Sequence, residues 1–559
     1  MSKNSNIYPT PDNARSGEGD ILQKDLAIIG AGVAGLYMLY KSREIGLDAH
    51  IVDRAEDVGG TWYWNRYPGC RCDIESMDYS YSFDEALQQE WDWTEKYPSQ
   101  PEVLSYLQHV ADRFDLKRDI SFGVDVSGAT YNEDTGRWRV HTSTGPDLDA
   151  KYVVMATGVL SAPKDPKVPG IEQFQGRVLR SASWPHEDVD FTGRKVAVLG
   201  TGSTGIQLVP EIAKQAEQLL VLQRTPNFSL PAYNRPLEQE EKDQIKRTYS
   251  LRRSKARASH LGVDTQSENR SALEVDEATR QEAYWDTYNY GNPMRFVSTF
   301  NDLVLSRDAN QTAVKFVADR IHDRVNDPDL AERLIPRSYA LGTRRPCIDT
   351  NYYETFNSDH VELVDLLQDP LTTITPTGFT TQRASYEIDD LVLATGFDAI
   401  TGALSRIDVQ GRNGQRLNDR WAQYPASFMG VMVHGFPNMF TVTGPLSPSV
   451  NSNMFVTIEQ HVEFIAGLVA NAQRHGSSVI EVTYDAEQQW CQHAEDVANQ
   501  TLFPETDSWY TGANVQGKPR VVLPYLGGVG SFDQMLNEQA DTGYPAFDFT
   551  SRSALSVTS

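Results

Sequence analysis

The chain has 559 residues, with 51 Lys and Arg against 76 Asp and Glu, a formal net charge of -25. At roughly 100–200 residues per domain this length predicts two to four domains, and the acidic balance argues against a nucleic-acid partner or an anionic membrane, since both select a basic surface. Four cysteines (Cys70, Cys72, Cys347 and Cys491) make neither a disulfide framework nor a C-x-x-C pair, and no second Cys/His cluster completes a metal site, so they read as structural thiols in a reducing compartment.

Residues 1–22 hold no apolar run of secretory-signal type and read as a disordered lead. No later stretch is apolar for long enough to span a bilayer. The expected location is the cytoplasm, with no membrane anchor, and no protein partner is evident.

The first element pair follows at once. "LAIIGAGVAG" reads as a buried strand over residues 26–29 that runs into a glycine turn, with Gly30, Gly32 and Gly35 in G-x-G-x-x-G spacing. Leu36, Leu39 and Tyr40 then recur at helical spacing, and a second strand over residues 49–52 ends at Asp53. In such a unit the first glycine permits the tight turn. The second lets a pyrophosphate approach the backbone, and the third packs helix on strand. Asp53 suits a ribose with free hydroxyls, as in FAD or NAD.

"VAVLGTGSTG" repeats the device. The strand covers residues 196–199, and the loop carries Gly200, Gly202 and Gly205 with Thr201, Ser203 and Thr204 between them. Gln207 falls in the first helical turn, Ile206, Val209, Ile212 and Ala213 mark one helix face, and residues 219–222 form the next strand. The position equivalent to Asp53 holds Gln223, followed by Arg224 and Thr225 in "LQRTP". A carboxylate repels a 2'-phosphate, whereas a guanidinium clamps it. The second loop is therefore expected to hold NADPH and the first a flavin, FAD, which can pass the two electrons on to O2.

Two strands ending in Ala-Thr-Gly, "YVVMATG" and "DLVLATGFD", close the two units and hand the chain across. The predicted fold is α/β with two Rossmann-like dinucleotide-binding domains. An FAD-binding domain comprises residues 23–160 and 397–559, and an NADP-binding domain comprises residues 161–396. The latter carries a helical insertion at about 227–340, whose mixed charges, as in "LRRSKARA", read as a solvated helix face.

Further motifs carry a family resemblance: "GGTWYWNRYPGCRCDIES", "FQGRVLRSASWP", "ATGFD", "GPLSPSVNSNM" and "WYTGANVQGKPR". Together with the two glycine loops they resemble the type I Baeyer–Villiger monooxygenases from about residue 22 to 530. The resemblance implies an NADPH- and O2-dependent FAD enzyme that inserts one oxygen atom beside a ketone carbonyl, through a C4a-peroxyflavin, to give an ester or lactone. Sulfoxidation is a possible side activity. The alternative is a flavin-containing N- or S-monooxygenase on a similar scaffold. A small-molecule ketone is the implied partner.

By the same resemblance Arg345 in "GTRRPCIDTNYYETF" is the fixed cation of the reaction and Asp73 its partner. Arg344, where the family usually has Lys, is a second clamp on the 2'-phosphate. Thr61, Trp62, Tyr79 and Met454 are flavin contacts, and Ser449, Val450 and Asn451 form a substrate-pocket bulge. Trp509 belongs to a mobile loop over about 505–530 that Gly512 and Gly517 would hinge. The family fingerprint F-x-G-x-x-x-H-x-x-x-W-P/D is matched by Phe174, Gly176, Trp184 and Pro185, but Arg180 stands at the histidine position. By the resemblance this position serves domain coupling rather than chemistry. The Trp-ending motif favours ketone oxidation over the N- or S-oxygenating alternative.

Overall fold

The computed structural model describes residues 21–164, 166–264 and 269–551. Most of the expected disordered lead lies outside these residues, but Ile21 and Leu22 do not. They begin strand β1 (Ile21–Ile29), five residues before the expected start. The early half of β1 alternates in exposure and pairs in parallel with Asp147–Ala150. A search for continuous apolar runs passes over such a half-exposed, charge-bearing strand.

β1 is followed by helix α1 (Val33–Glu44) and strand β2 (Ala49–Asp53), with Ile29 facing Val52 in a parallel register. On its other side β1 pairs with the long strand Asp147–Met155, which leads into the first Ala-Thr-Gly. This sheet has eight strands. Two of them, Asp408–Gln410 and Met439–Thr441, come from beyond the second glycine unit, so the chain leaves the sheet and returns to it.

The second sheet has five strands. Lys195–Leu199 lies between Gln218–Gln223 and Asp390–Leu393, with Val361–Asp365 and Arg177–Arg180 at the edges, and every pair is parallel. The central strands are buried on both faces, as parallel sheets are.

The two Ala-Thr-Gly strands have one job in common. Gly30 has φ +110°, and a Cβ there would sit 2.5 Å from the Ala156 carbonyl oxygen. Gly200 has φ +118°, and its Cβ would sit 2.3 Å from the Ala394 carbonyl oxygen. Each glycine turn is thus pressed against the alanine of its own Ala-Thr-Gly, a fit that excludes any side chain.

The segment between the second unit and its closing strands is helical, with Gln239–Ala258, Glu277–Tyr290 and Arg307–Arg324 the longest pieces. The reading of its charges as a solvated face needs correction for the first helix. Arg252 donates two hydrogen bonds to the buried Asp78 carboxylate, at 2.5 and 2.6 Å. Arg253 donates to the Asp78 carbonyl and to Ser80 Oγ. Arg257 bridges Asp533 and Glu463. Helical spacing reveals which residues share a face, but not that a carboxylate far away in sequence meets them.

Two predictions follow from these buried charges. Arg252→Ala leaves the Asp78 carboxylate without its counter-ion and is expected to cost roughly 3–5 kcal/mol of stability; an unchanged melting temperature would contradict this. Glu459, fully buried on the helix Met454–Arg474, has its pKa pushed up to about 7 by burial, although Ser82 N–H and Oγ donate to it. The folded state therefore holds a proton that the unfolded state releases near the ordinary Glu value, so stability should fall as pH rises from about 4.5 to 7. Glu459→Gln should flatten that part of the stability–pH curve, and a slope identical to wild type would reject the assignment.

Candidate active site

The C-terminal ends of both sheets open on one cleft of about 2270 Å³. Strand ends of parallel sheets are where such folds place their ligands. From the first unit Gly30, Gly32, Asp53, Thr61, Trp62, Asp73 and Tyr79 line it. From the second come Gly200, Thr201, Gly202, Ser203, Thr204, Gln207, Arg224 and Thr225. Arg344, Arg345, Val450, Met454 and Trp509 complete the predicted set that reaches the cleft.

Gly35 and Gly205 stand behind it. A Cβ at Gly35 would lie 1.8 Å from the Gly30 carbonyl oxygen, and one at Gly205 would lie 2.1 Å from that of Gly200, so these glycines serve helix–loop packing. Of the expected substrate-pocket bulge, only Val450 faces the cleft. Ser449 is fully buried, its hydroxyl directed at the Thr443 carbonyl, and Asn451 is not among the lining residues. The three form a 3₁₀ turn, which points successive side chains about 120° apart, so one residue in three faces a given side.

The cradles fit dinucleotides. A Cβ at Gly202 would meet nothing within 4 Å, leaving open space beside the backbone. Both loop helices begin on glycine, without a side-chain cap or an acidic residue in the first turn. Their first amide donors are therefore available to a phosphate. Asp53 is fixed by accepting the Ala31 and Ala55 amides at 2.6 and 2.7 Å. Burial raises its pKa, against the lowering effect of those amides. Each carboxylate oxygen keeps acceptor capacity for a ribose hydroxyl.

In the second unit the equivalent Gln223 is buried and donates to the Arg333 carbonyl, so it is turned to the interior. Arg224 is exposed on the cleft wall, and the Thr225 carbonyl accepts Thr201 Oγ1 at 2.9 Å, which fixes the "RTP" turn to the glycine loop. Arg344 crosses the Tyr339 ring at 4.3 Å and donates to the Asp507 carbonyl at 2.5 Å. Burial lowers its pKa, and Arg224 is among the charges that lower it further. Gln207 has a second task. Its side-chain oxygen accepts from Tyr67 at 3.0 Å and its amide donates to the Arg71 carbonyl at 3.1 Å, knitting the second unit's helix to the "RYPGCR" segment of the first.

At the centre, Arg345 donates from Nη2 to Asp73 Oδ1 at 3.0 Å and from Nε to Asp73 Oδ2. Its Nη1 donates to the Val450 carbonyl at 2.6 Å and to that of Ser452 at 3.5 Å. Burial opposes the guanidinium charge, but the Asp73 carboxylate outweighs it and holds the pKa above its ordinary value. The cation is permanent. Cys70 and Cys347, also on the cleft wall, have thiols pushed up to about 12 by burial, which keeps them protonated at neutral pH.

Arg180 ends the strand Arg177–Arg180 and lines the cleft. Phe174 and Trp184 are buried, and a Cβ at Gly176 would sit 2.3 Å from the Asp389 carbonyl oxygen, so these fingerprint positions pack the sheet edge. Sequence reasoning did not single out Tyr510 or Lys164. Tyr510 is fully buried, with its hydroxyl 3.4 Å from the Val450 carbonyl that Arg345 also bonds; its only signal was adjacency to Trp509. Lys164 lines the cleft and carries no local motif. Nine Lys and Arg against six Asp and Glu line the cleft among the described residues, although the chain as a whole is strongly acidic. A cationic cleft in an anionic surface concentrates an anionic ligand where it binds.

Residues 23–234 match the family model described as flavin-binding monooxygenase-like. The chain is 39% identical over 526 residues to an acetone monooxygenase (methyl acetate-forming) of Gordonia sp. strain TY-5, covering 94% of this chain and 98% of that protein. It is 39% identical over 533 residues to a phenazine N-monooxygenase of Lysobacter antibioticus, covering 95% and 98%. A solved structure of an oxidized steroid monooxygenase bound to NADP superposes with a TM-score of 0.91 at 44% identity, covering 94% of this chain and 99% of that one.

Arg224→Ala is expected to weaken NADPH about ten- to a hundredfold while sparing NADH, the roughly 1.5–3 kcal/mol of one charge-assisted hydrogen bond. An unchanged NADPH/NADH ratio of kcat/KM would reject the clamp.

Proposed function

Because the chain belongs to the Baeyer–Villiger monooxygenases of the flavin-binding monooxygenase-like family, we propose that the cleft binds FAD on the Gly30 loop and NADPH on the Gly200 loop. The reaction uses O2 to insert one oxygen atom beside a ketone carbonyl and yields an ester or lactone. We assign FAD binding to residues 23–160 and 397–559, and NADP binding to residues 161–396. The buried free cysteines support a reducing, cytoplasmic setting.

The observation that carries this reading is Arg345, fixed between Asp73 and the Val450 carbonyl in the cleft that both glycine loops share. FAD, when bound, supplies the redox chemistry that passes electrons from NADPH to O2. The chain's own residues supply the electrostatics. Asp73 takes two of the guanidinium's five N–H bonds, and the Val450 and Ser452 carbonyls take the Nη1 pair. The remaining Nη2 hydrogen has no carboxylate or carbonyl partner, with the Tyr510 hydroxyl also in hydrogen-bonding reach of the guanidinium, and we assign it to the ketone oxygen as negative charge develops there. A guanidinium stabilises that charge without giving up its proton. Asp73 holds the donor in place, so no reorganisation is needed during reaction. Val450, Met454 and Trp509 belong to one apolar cluster at the cleft, which suits a ketone's hydrocarbon part.

Arg345→Ala should leave flavin reduction by NADPH intact and lower ester formation about 10²–10³-fold, the usual cost of losing an oxyanion donor. Rapid-mixing reduction kinetics with product analysis checks both halves, and retained ester or lactone would refute the role. N-oxygenation is the second reading, supported by the phenazine N-monooxygenase relative. Product masses from a ketone and a heteroaromatic amine, each offered alone, separate the two.

A further inference from the structure

Lys164 sits where the chain first crosses from one sheet to the other, and its backbone is fixed. Its amide donates to the Gly396 carbonyl at 3.0 Å, and its carbonyl lies 3.5 Å from Thr395 Oγ1. The preceding Pro163 bridges to Phe397. These contacts hold Lys164 over the C-terminal end of Asp390–Leu393, the strand beside Lys195–Leu199 and its glycine loop. The side chain is half-buried and lines the cleft.

No described residue hydrogen-bonds or ion-pairs its ammonium. Asp398, the acidic group that acts on it, is bonded by Lys518 Nζ at 2.5 Å. Burial lowers the Lys164 pKa, and the Arg224 charge lowers it next. Arg344 shares part of this state: burial depresses it and Arg224 repels it, while its Nη2 is held by the Asp507 carbonyl and its buried Nε has no hydrogen-bond partner. Arg224 thus acts on both Lys164 and Arg344 from one side of the cleft and raises the cost of charging each. Half-buried like charges without a counter-ion are unfavourable until an anion arrives, and a phosphate monoester carries close to two negative charges near neutral pH.

We infer that Lys164 is a third cation of the 2'-phosphate site, acting with Arg224 and Arg344, and so a residue that sets the preference for NADPH over NADH. This rests on the reading that the Gly200 loop binds NADPH. It assigns to this chain a contact from the crossover segment, outside both the glycine loop and the "RTP" turn.

The test is calorimetric titration of FAD-loaded protein with adenosine 2',5'-bisphosphate and, separately, with ADP, which lacks the 2'-phosphate. Lys164→Met should weaken the bisphosphate about tenfold or more, as expected for one charge-assisted contact, and change ADP by less than about twofold. Lys164→Arg should keep the bisphosphate within about threefold of wild type. FAD content and melting temperature report whether each variant is folded. Bisphosphate affinity that survives Lys164→Met overturns the assignment, and so does an equal loss for both ligands, which would place the lysine on the 5'-phosphate that the two share. Wild-type protein that binds both ligands alike would overturn the NADPH reading itself and the Lys164 assignment with it.

Discussion

Arg345 and Asp73 form the ion pair on which the site depends. They are 272 residues apart and reach each other only because the second unit and the first are folded against one another. A buried pair of this kind adds little to stability on its own, since desolvating both charges offsets most of their attraction. Its value here is positional. The carboxylate takes one edge of the guanidinium and two backbone carbonyls take Nη1, so the cation has a single resting place between two dinucleotide cradles. Around it the chain reuses one solution twice. Each glycine turn rests on the carbonyl of an Ala-Thr-Gly alanine, and each opens its first helical amides toward the cleft.

Charge is distributed with equal economy. The surface is strongly acidic, yet basic side chains outnumber acidic ones along the cleft. Some of these cations are neutralised by the protein, as Arg345 is by Asp73. Others, Arg344 and Lys164 among them, sit with their charge opposed by burial and by Arg224. The first kind serves a charge that appears during reaction and must be in place beforehand. The second kind serves a charge that arrives with a ligand, and its repulsion is relieved on binding.

Much of this was legible in the sequence because it is local. The glycine spacing, the acid at one strand end and the arginine at the other are patterns within some thirty residues, and periodicity places their strands and helices. Arg345, Asp73 and Trp509 became candidates only through family resemblance, since nothing near them in sequence announces a partner. What stayed hidden is tertiary. The arginines of Gln239–Ala258 look solvated until Asp78, Asp533 and Glu463 are brought to them. The half-exposed start of β1 is invisible to a search for apolar runs. A 3₁₀ turn decides that Val450, and neither Ser449 nor Asn451, faces the cleft.

The chain passes between the two sheets twice, and the passages run side by side. Pro163 bridges to Phe397, the Lys164 amide bonds the Gly396 carbonyl, and the Asp398 amide bonds the Ala162 carbonyl. Two linkers laced together this way keep one register, because sliding one past the other would break all three contacts at once. Lys164 lies in this lacing, so its backbone is placed by both passages of the chain and not by one alone.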